Sequence, residues 1–391
     1  MVRLAEPPTL SGSSRPVYLD CNATSPIEPE VLECMIHFCQ EEYGNAGSRT
    51  HVYGASANRA LRRAREQIAK IVASSWEDIV FTSGATESNN LAILGVAADA
   101  AANSGARHII STQIEHKAVL EPLEELTCRG FEVTLVPPSA SGVIDVRAIR
   151  DALRDDTALV SVMHVNNETG VIQPLAEVGD MLSDHPAVFH TDAAQGFGKE
   201  LEGLRCERLD LISISGHKIY APKGIGALVT RHSGSRDIRL KPLMYGGGQE
   251  AGLRPGTVPV HLAVALGFAA EVALRDHMLR QTACLQFRDN LLQCLAPLRP
   301  ILQGDLNRTL PHVLNMRFGE IDSEAVMIAL RDHVAISNGS ACTSSRYEPS
   351  HVLRAMGLTE AQANAATRWS WCHLTPRPDW DAVAEAIWLL T

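Results

Sequence analysis

LDLISISGHK, residues 209–218, is a nearly continuous apolar run that ends in small and reactive side chains. The run is short and rich in branched side chains, which is typical of a strand covered on both faces of a parallel sheet. Similar runs occur at residues 79–81, 187–190 and 226–230. The stretch therefore predicts one strand of a mostly parallel α/β sheet, with Lys218 just beyond its end.

Apolar runs and helical patterns alternate along the chain from Arg107. The runs cover residues 108–112, 131–136 and 159–164, and helical patterns at 117–128 and 146–153 separate them, as in layered α/β proteins. In open α/β sheets the ligand crevice lies beyond the carboxyl ends of the strands, which predicts a single site here. The polar residues that follow the runs are Glu115 and His116, Asn166 and Asn167, Asp192 and Gln195, and Ser215 to Lys218.

The pattern changes near Gly267, where a helical stretch runs to Leu295 and is followed by prolines at 297 and 300. A shorter mixed α/β region then continues to the last residue. We expect a large domain at residues 27–270 and a small domain made of residues 1–26 and 271–391.

The composition favours a cytoplasmic enzyme over several other classes. Acidic residues outnumber basic ones by 45 to 35, giving a net charge of -10, which argues against direct reading of nucleic acid. The nine cysteines show no paired or zinc-type spacing, so we expect reduced thiols and no metal site. The sequence shows neither a secretory signal layout nor an apolar run of membrane-spanning length.

Lys218 and Asp192 are the candidates for holding a carbonyl cofactor. A lysine amine can bond covalently to such a cofactor, and a carboxylate can keep a pyridine nitrogen protonated so that the ring accepts electrons. Taken singly, Lys218 could be a solvated lysine in a turn, and Asp192 could be a helix N-cap. Their occurrence together with the segments described next favours the cofactor site.

Residues 82–90, TSGATESNN, lead from a strand into a helix and form a candidate phosphate site. Gly84 permits a sharp turn, and hydroxyl and N–H groups at a helix start, here at Ala85 and Thr86, can hold a phosphate. The same residues could instead be a capping box. His116 follows another strand, where it could stack on a cofactor ring and carry protons.

Cys342 lies in ISNGSACTSS, residues 336–345, among small and hydroxyl-bearing residues. Such a segment has little to bury and should be a mobile loop that exposes its thiol, whereas structural cysteines usually have apolar neighbours. We therefore predict Cys342 as a nucleophile and assign the other cysteines to packing.

Several motifs resemble those of the cysteine desulfurases, in the group with a long catalytic-cysteine loop. The resemblance runs in order from about Val17 to the 370s, and motifs in this number and order are highly specific. The segments that carry it are residues 20–24 (DCNAT), 43–45 (YGN), 82–90, 115–117 (EHK), 166–170 (NNETG), 215–218 (SGHK), 254–257 (RPGT) and 340–343 (SACT).

The resemblance implies a fold-type I homodimer of α/β class, with a mostly parallel seven-stranded sheet covered by helices on both faces. Pyridoxal phosphate would be bound covalently to Lys218, with Asp192 at the pyridine nitrogen, Gln195 at the phenolic oxygen and His116 on the ring. The remaining roles fall to phosphate ligands and a substrate clamp. The phosphate ligands would be Ala85, Thr86, Ser215, His217 and the partner subunit's Thr257, and the carboxylate clamp would be Asn167 and Arg368.

The implied reaction converts L-cysteine to L-alanine and leaves the sulfur on Cys342 as a persulfide for an acceptor protein. The chain ends without the extended tail with which housekeeping members contact an iron–sulfur scaffold protein. Residues 246–253 (GGGQEAGL) replace a more basic stretch, and Trp371-Cys372-His373 is unusual after Arg368. The overall pattern favours the branch that serves phosphorothioate modification of DNA over iron–sulfur cluster assembly.

Two alternative functions predict different reactive residues. Selenocysteine lyases, aminotransferases and related fold-type I enzymes need the lysine and the acid, but they do not need a thiol on a loop. A catalytically idle docking module would need none of the reactive residues. The presence of Lys218, Asp192, His116 and Cys342 together favours the desulfurase.

Overall fold

A computed structural model describes residues 15–231, 238–339 and 349–390 of the chain. The described elements alternate between strands and helices through the first two thirds of the chain. The strands are β1 (Val17–Tyr18), β2 (Ile79–Thr82), β3 (His108–Thr112), β4 (Glu132–Val136), β5 (Thr157–Ser161), β6 (Val188–Asp192), β7 (Leu211–Ser215), β8 (Gly226–Thr230), β9 (Ile301–Gln303), β10 (Val313–Arg317), β11 (Val334–Ala335) and β12 (Ala366–Ser370).

The helices range from one turn to six turns in length. They are α1 (Pro29–Gln40), α2 (Val52–Val72), α3 (Ala85–Asn103), α4 (Lys117–Cys128), α5 (Val146–Ala152), α6 (Leu175–Met181), α7 (Val260–Arg275), α8 (His277–Leu295), α9 (Ser323–Leu330), α10 (His351–Ala355), α11 (Glu360–Asn364) and α12 (Trp380–Trp388). In the described part of the chain, no helix is both long and apolar enough to cross a membrane.

The central sheet has seven strands in the order β2-β8-β7-β6-β5-β3-β4. Neighbouring strands from β7 to β4 run parallel, whereas β8 runs antiparallel to both β7 and β2. The sequence prediction of a mostly parallel sheet is therefore confirmed. The antiparallel direction of β8 was not predicted, because its apolar run resembles those of the other strands. The spacing of apolar residues does not indicate the direction of a strand.

Successive side chains of the inner strands enter two different cores. Ile110, Val160 and Ile212 pack in one core with residues of α2 and α7. The preceding residues Ile109, Leu159 and Leu211 pack in the other core, with residues of α3 and α4. Because side chains alternate across a strand, both faces of the sheet are covered by helices, as predicted.

Gly226 at the start of β8 fixes the position of the turn that begins α3. A Cβ atom built on Gly226 would lie 2.5 Å from the Cα atom of Gly84 and 2.4 Å from the carbonyl oxygen of Ile214. Both contacts are to backbone, which cannot move aside as a side chain can. Glycine at residue 226 therefore allows the Gly84 turn to lie against the end of the sheet.

A separate sheet of β12, β10 and β9 packs with α8, α9 and α12 around a second core that contains Trp369, Trp371 and Trp380. β1 pairs in parallel with β11, so residues near the start of the chain join residues near its end. The predicted helical stretch to Leu295 is two helices, which meet at Asp276. The domain boundaries at residues 26 and 270 stay a prediction.

Candidate active site

Lys218 lies directly after β7, in a helical turn formed by residues 216–218. Its Nζ donates hydrogen bonds to the carbonyl oxygen of Asn22 and, at 2.7 Å, to that of Ala23. The amine therefore points towards the segment that follows β1, at the carboxyl end of β7.

Asn22 joins several of the predicted site residues. Its carbonyl oxygen accepts hydrogen bonds from Lys218 and, at 2.9 Å, from Nε2 of Gln195. Its Nδ2 donates to the carbonyl oxygen of Asn167 at 3.2 Å, and its N–H donates to the hydroxyl of Ser370 at 2.9 Å. Residues 20–24 form a sequence motif, but the motif predicts no role for Asn22, since contacts this distant in sequence leave no local pattern.

Asp192 ends β6 and is 5% exposed. Its Oδ2 accepts from Nδ2 of Asn89 at 2.8 Å, and its Oδ1 accepts from the N–H of Ala194 at 2.9 Å. Asn89 was quoted within the phosphate motif without a role, although a fully buried asparagine in an apolar helix is itself a signal for a polar partner. Each carboxylate oxygen keeps a second lone pair that could accept from a ring N–H.

His116 caps the start of α4, where its Nδ1 accepts a hydrogen bond from the N–H of Ala118 at 3.1 Å. Desolvation by the surrounding protein lowers the pKa of His116, while Asp192 acts to raise it and Lys218 acts to lower it. The ring is nevertheless solvent-accessible, so we infer that it lines a concave cleft. These interactions place His116 near Asp192 and Lys218, and they favour a neutral ring.

Glu115 precedes His116 and is completely buried. Its Oε1 accepts hydrogen bonds from Thr112 at 2.9 Å and from the N–H of Met163 at 2.7 Å. Burial raises the pKa of Glu115 to about 8, against these two hydrogen bonds, and the charge of Asp192 raises it further. The carboxyl group is therefore protonated at neutral pH, a property that the sequence analysis missed.

The predicted phosphate site comprises two segments that follow β2 and β7, the strands on either side of β8. Ala85 and Thr86 begin the 19-residue helix α3, whose first N–H groups have no partners within a helix. A Cβ atom on Gly84 would meet nothing within 4 Å, so the space beside the turn is open. Ser215 ends β7, and Nδ1 of His217 lies 3.1 Å from the hydroxyl of Thr24.

Arg368 lies on β12 and is 5% exposed. Its Nη2 forms an ion pair with Oδ1 of Asp20 at 2.7 Å, and its Nη1 donates to the carbonyl oxygen of Asn167 at 3.0 Å. The guanidinium group is therefore held beside Asn22, on the small-sheet side of the cleft. The two predicted clamp residues, Asn167 and Arg368, are in direct contact.

The residues present fit pyridoxal phosphate. Thr191 Oγ1 and Gln195 Oε1 are buried, and in the described part of the chain they have no hydrogen-bond partner. Together with the amine of Lys218, the carboxylate of Asp192 and the helix start at Ala85, they offer polar groups for each part of that molecule. Among the described residues, no group of three or more histidine, cysteine or acidic side chains could hold a metal ion.

Cys342 lies outside the described residues, so the predictions for its loop stay predictions. Both flanks of that segment contact the site. On one side Ser337 donates to Oδ1 of Asp20 at 3.0 Å, and on the other Ser350 donates to the buried Glu168. Thr257 is exposed.

We expect Glu115→Gln to flatten the dependence of stability on pH. The unfolded carboxyl group loses its proton near its ordinary pKa of 4.5, whereas the folded one keeps it up to about 8. The folded state thus binds more protons over this range, and stability falls as pH rises, by up to about 5 kcal/mol in total. Glutamine does not titrate. In the variant, the free energy of unfolding, measured with urea at several pH values between 5 and 8, should therefore fall less steeply with pH.

Glu121→Gln is the matched control, because Glu121 is an exposed carboxyl group on α4. Its free energy of unfolding should change with pH as steeply as that of the parent protein. A Glu115→Gln slope equal to that of the parent would contradict a protonated Glu115.

Comparison with known proteins gives the family. Residues 17–383 match the model of the aminotransferase class-V family. The chain is 46% identical over 373 residues to cysteine desulfurase IscS of Methylococcus capsulatus, which covers 95% of this chain and 91% of that protein.

Solved structures show the same fold. DndA from Streptomyces lividans is 50% identical, with a TM-score of 0.80 over 91% of this chain and 99% of that one. A NifS-like protein is 34% identical, with a TM-score of 0.86 over 96% of this chain and 98% of that one. These likenesses confirm the predicted fold-type I architecture. The chain therefore belongs to the aminotransferase class-V family and, within it, to the cysteine desulfurases.

Proposed function

We propose that this chain is a cysteine desulfurase that converts L-cysteine to L-alanine and holds the sulfur on Cys342 as a persulfide. The observation that carries the proposal is the convergence of an amine, an amide and a guanidinium group around Asn22. Such a set can hold a carbonyl cofactor and an amino acid side by side. The 46% identity to a cysteine desulfurase supports this substrate over others.

Enzymes of this family depend on pyridoxal phosphate. When bound, this group supplies an electron sink for the electron pair left behind when the substrate loses its α-proton. We assign its covalent attachment to Lys218, its pyridine nitrogen to Asp192, its phenolic oxygen to Gln195 and its ring face to His116. We assign its phosphate to Ala85, Thr86, Ser215 and His217, together with the partner subunit's Thr257.

The chain's own residues then divide the reaction between them. Arg368 and Asn167 hold the substrate carboxylate, and the released amine of Lys218 takes the α-proton. Asp192 keeps a proton on the ring nitrogen, which its buried and hydrogen-bonded carboxylate can do without reorganisation. The Cys342 thiolate attacks the substrate sulfur, so that an S–S bond forms, the C–S bond breaks and alanine leaves after proton return.

The chain's exposed apolar residues support a homodimer. Tyr245 is 85% exposed, Val52 78% and Tyr43 68%, and the rings of Tyr43 and Tyr53 stack at 5.7 Å. Exposed large apolar side chains are typical of an interface. Thr257 is also exposed, twelve residues after Tyr245, and would reach the partner's phosphate site.

We expect light scattering at micromolar concentration to give twice the chain mass of 42.3 kDa. Tyr245→Asp should shift the protein towards the monomer, because an interface does not tolerate an unpaired buried charge. A monomeric parent protein would contradict the role assigned to Thr257.

We propose a cytoplasmic location, because the eight cysteines in the described part of the chain are all free thiols. For the sulfur acceptor, the 50% identity to DndA agrees with the branch that the sequence favours, phosphorothioate modification of DNA. Sulfur transfer to an iron–sulfur scaffold protein, with none to proteins of DNA modification, would contradict this branch.

The reaction is tested by absorbance of the bound cofactor and by alanine and sulfide production from cysteine. Lys218→Ala should abolish covalent cofactor binding and lower turnover at least a thousandfold or so, while Lys223→Ala, in the exposed turn that follows, should not. Cys342→Ser should keep the cofactor and lose sulfur release, while Cys39→Ser should change neither. A colourless parent protein would contradict the proposal. Undiminished sulfur release without Cys342 would also contradict it and would favour a different fold-type I activity.

Arg368→Lys should raise the KM for cysteine about tenfold or more, with a smaller effect on kcat. Lysine keeps the charge that pairs with Asp20 but lacks the planar fork that binds a carboxylate through two hydrogen bonds. Steady-state kinetics measure both constants, and Arg317→Lys on the neighbouring β10 serves as control. An unchanged KM would remove Arg368 from the carboxylate clamp.

A further inference from the structure

A second group of reactive side chains lies outside the site described above. Cys21 and Cys372 are 3% and 4% exposed and contact each other in a small cluster with Tyr220. Cys21 lies between Asp20 and Asn22, and one residue separates Cys372 from the end of β12. The sequence analysis assigned both to packing, yet apolar packing does not account for the polar groups around them.

The sulfur of Cys372 has a hydroxyl and a thiol beside it. The hydroxyl of Thr375 donates to it at 3.5 Å while accepting from the N–H of Cys372 at 2.9 Å, which fixes that hydroxyl in place. The thiol of Cys21 lies in the same cluster. The contact with Cys21 is the largest of the causes that lower the pKa of Cys372, and the same contact raises the pKa of Cys21.

Lys199 supplies a positive charge beside this pair. Burial lowers the pKa of Lys199 to about 8, and in the described part of the chain the groups that act to raise it are Cys21, Cys284 and Cys372. Its Nζ lies 3.3 Å from Nε2 of His312. A partly buried ammonium group whose nearby acids are thiols is compensated best when one thiol is ionised.

A small cavity borders Lys199 and Tyr220, two neighbours of the pair, although neither Cys21 nor Cys372 lines it. Its volume is about 30 Å³, and Lys199, Tyr220 and Cys284 are among the residues that line it. That is room for roughly one small polar molecule.

We propose that Cys372 and Cys21 are a redox-active pair that hydroperoxides oxidise to a disulfide. The Cys372 thiolate attacks one peroxide oxygen, so that an S–O bond forms, the O–O bond breaks and hydroxide leaves. The Cys21 thiol then attacks the resulting sulfenic acid; an S–S bond forms, the S–O bond breaks and water leaves. Two electrons pass from the two sulfurs to the peroxide, and a thiol reductant reverses the change.

The disulfide would act on the active site through Asn22. The N–H of Cys21 already donates a hydrogen bond to the carbonyl oxygen of Ser370 at 3.0 Å, so the segment that carries Cys21 lies beside the end of β12. Closing the sulfurs to a bond length of about 2 Å pulls the segment that carries Asn22 towards β12. Because the Asn22 carbonyl oxygen accepts from Lys218 and Gln195, we expect the cofactor site to respond.

Cys284 provides an internal comparison. It is buried near the same lysine, but desolvation raises its pKa to about 12. If burial alone governed these thiols, Cys372 and Cys284 would react alike. The hydroxyl of Thr375 and the contact with Cys21 distinguish Cys372 from Cys284, so we expect the two thiols to react at different rates.

The test uses the cofactor-loaded Cys342→Ser protein, which removes the predicted catalytic thiol. After exposure to hydrogen peroxide, the protein is unfolded in an alkylating agent and its peptides are mapped by mass spectrometry. We expect a Cys21–Cys372 disulfide that dithiothreitol reverses, formed at least about tenfold faster than any modification of Cys284. Cys284→Ala should form it at the same rate, and Lys199→Met more slowly.

Cys372→Ala should leave Cys21 reduced. The pair is overturned if both thiols stay alkylatable after peroxide, if Cys372 reacts no faster than Cys284, or if Cys372 reaches sulfinic acid without joining Cys21. This covalent result does not depend on the proposed function.

The link to the active site has its own readout. In the Cys342→Ser protein, cysteine affinity measured by cofactor absorbance should weaken about fivefold on oxidation and recover on reduction. The same titration with Cys372→Ala added should not respond to peroxide. An equal response in both proteins, or in neither, would overturn the link through Asn22.

Discussion

The structure depends on one backbone carbonyl group, that of Asn22. It accepts hydrogen bonds from Lys218 and Gln195, which follow two neighbouring strands of the large sheet. The same residue is bound through its own N–H to Ser370 at the end of the small sheet. A buried carbonyl oxygen has two lone pairs, and both are used here by side chains with catalytic assignments. A shift of this peptide would therefore move the amine, the amide and the small sheet relative to one another.

The site also shows how burial can keep a proton on a carboxyl group. Asp192 and Glu115 are both buried near His116, but Asp192 has a hydrogen-bond donor on each oxygen, while both donors to Glu115 act on a single oxygen. Burial raises the pKa of Glu115 to about 8, and the charge of Asp192 raises it further. Glu115 therefore stays protonated at neutral pH, while each oxygen of Asp192 keeps a lone pair that could accept from a ring N–H.

The sequence was informative where chemistry and periodicity coincide. The strands that lead to Lys218 and Asp192 could be located because their apolar runs stop at reactive residues, and the motifs identified the family. Local patterns could not reveal the direction of β8, which is set by its pairing with β2 and β7. Nor could they reveal the contacts of Asn22 or the contact of Cys21 with Cys372, because these join residues far apart in the sequence. The roles of the site residues and the domain boundaries stay predictions.

The ion pair between Asp20 and Arg368 joins residues 348 positions apart. During synthesis the large sheet can form first, but its amine and acid lack the guanidinium partner until β12 leaves the ribosome. Closing so long a loop has a large entropic cost, which the completed small sheet can offset. If Arg368 and Asn167 hold the substrate carboxylate as proposed, a nascent chain that already contains Lys218 cannot clamp an amino acid substrate. The order of the polypeptide would then delay the release of reactive sulfur until β12 has been made.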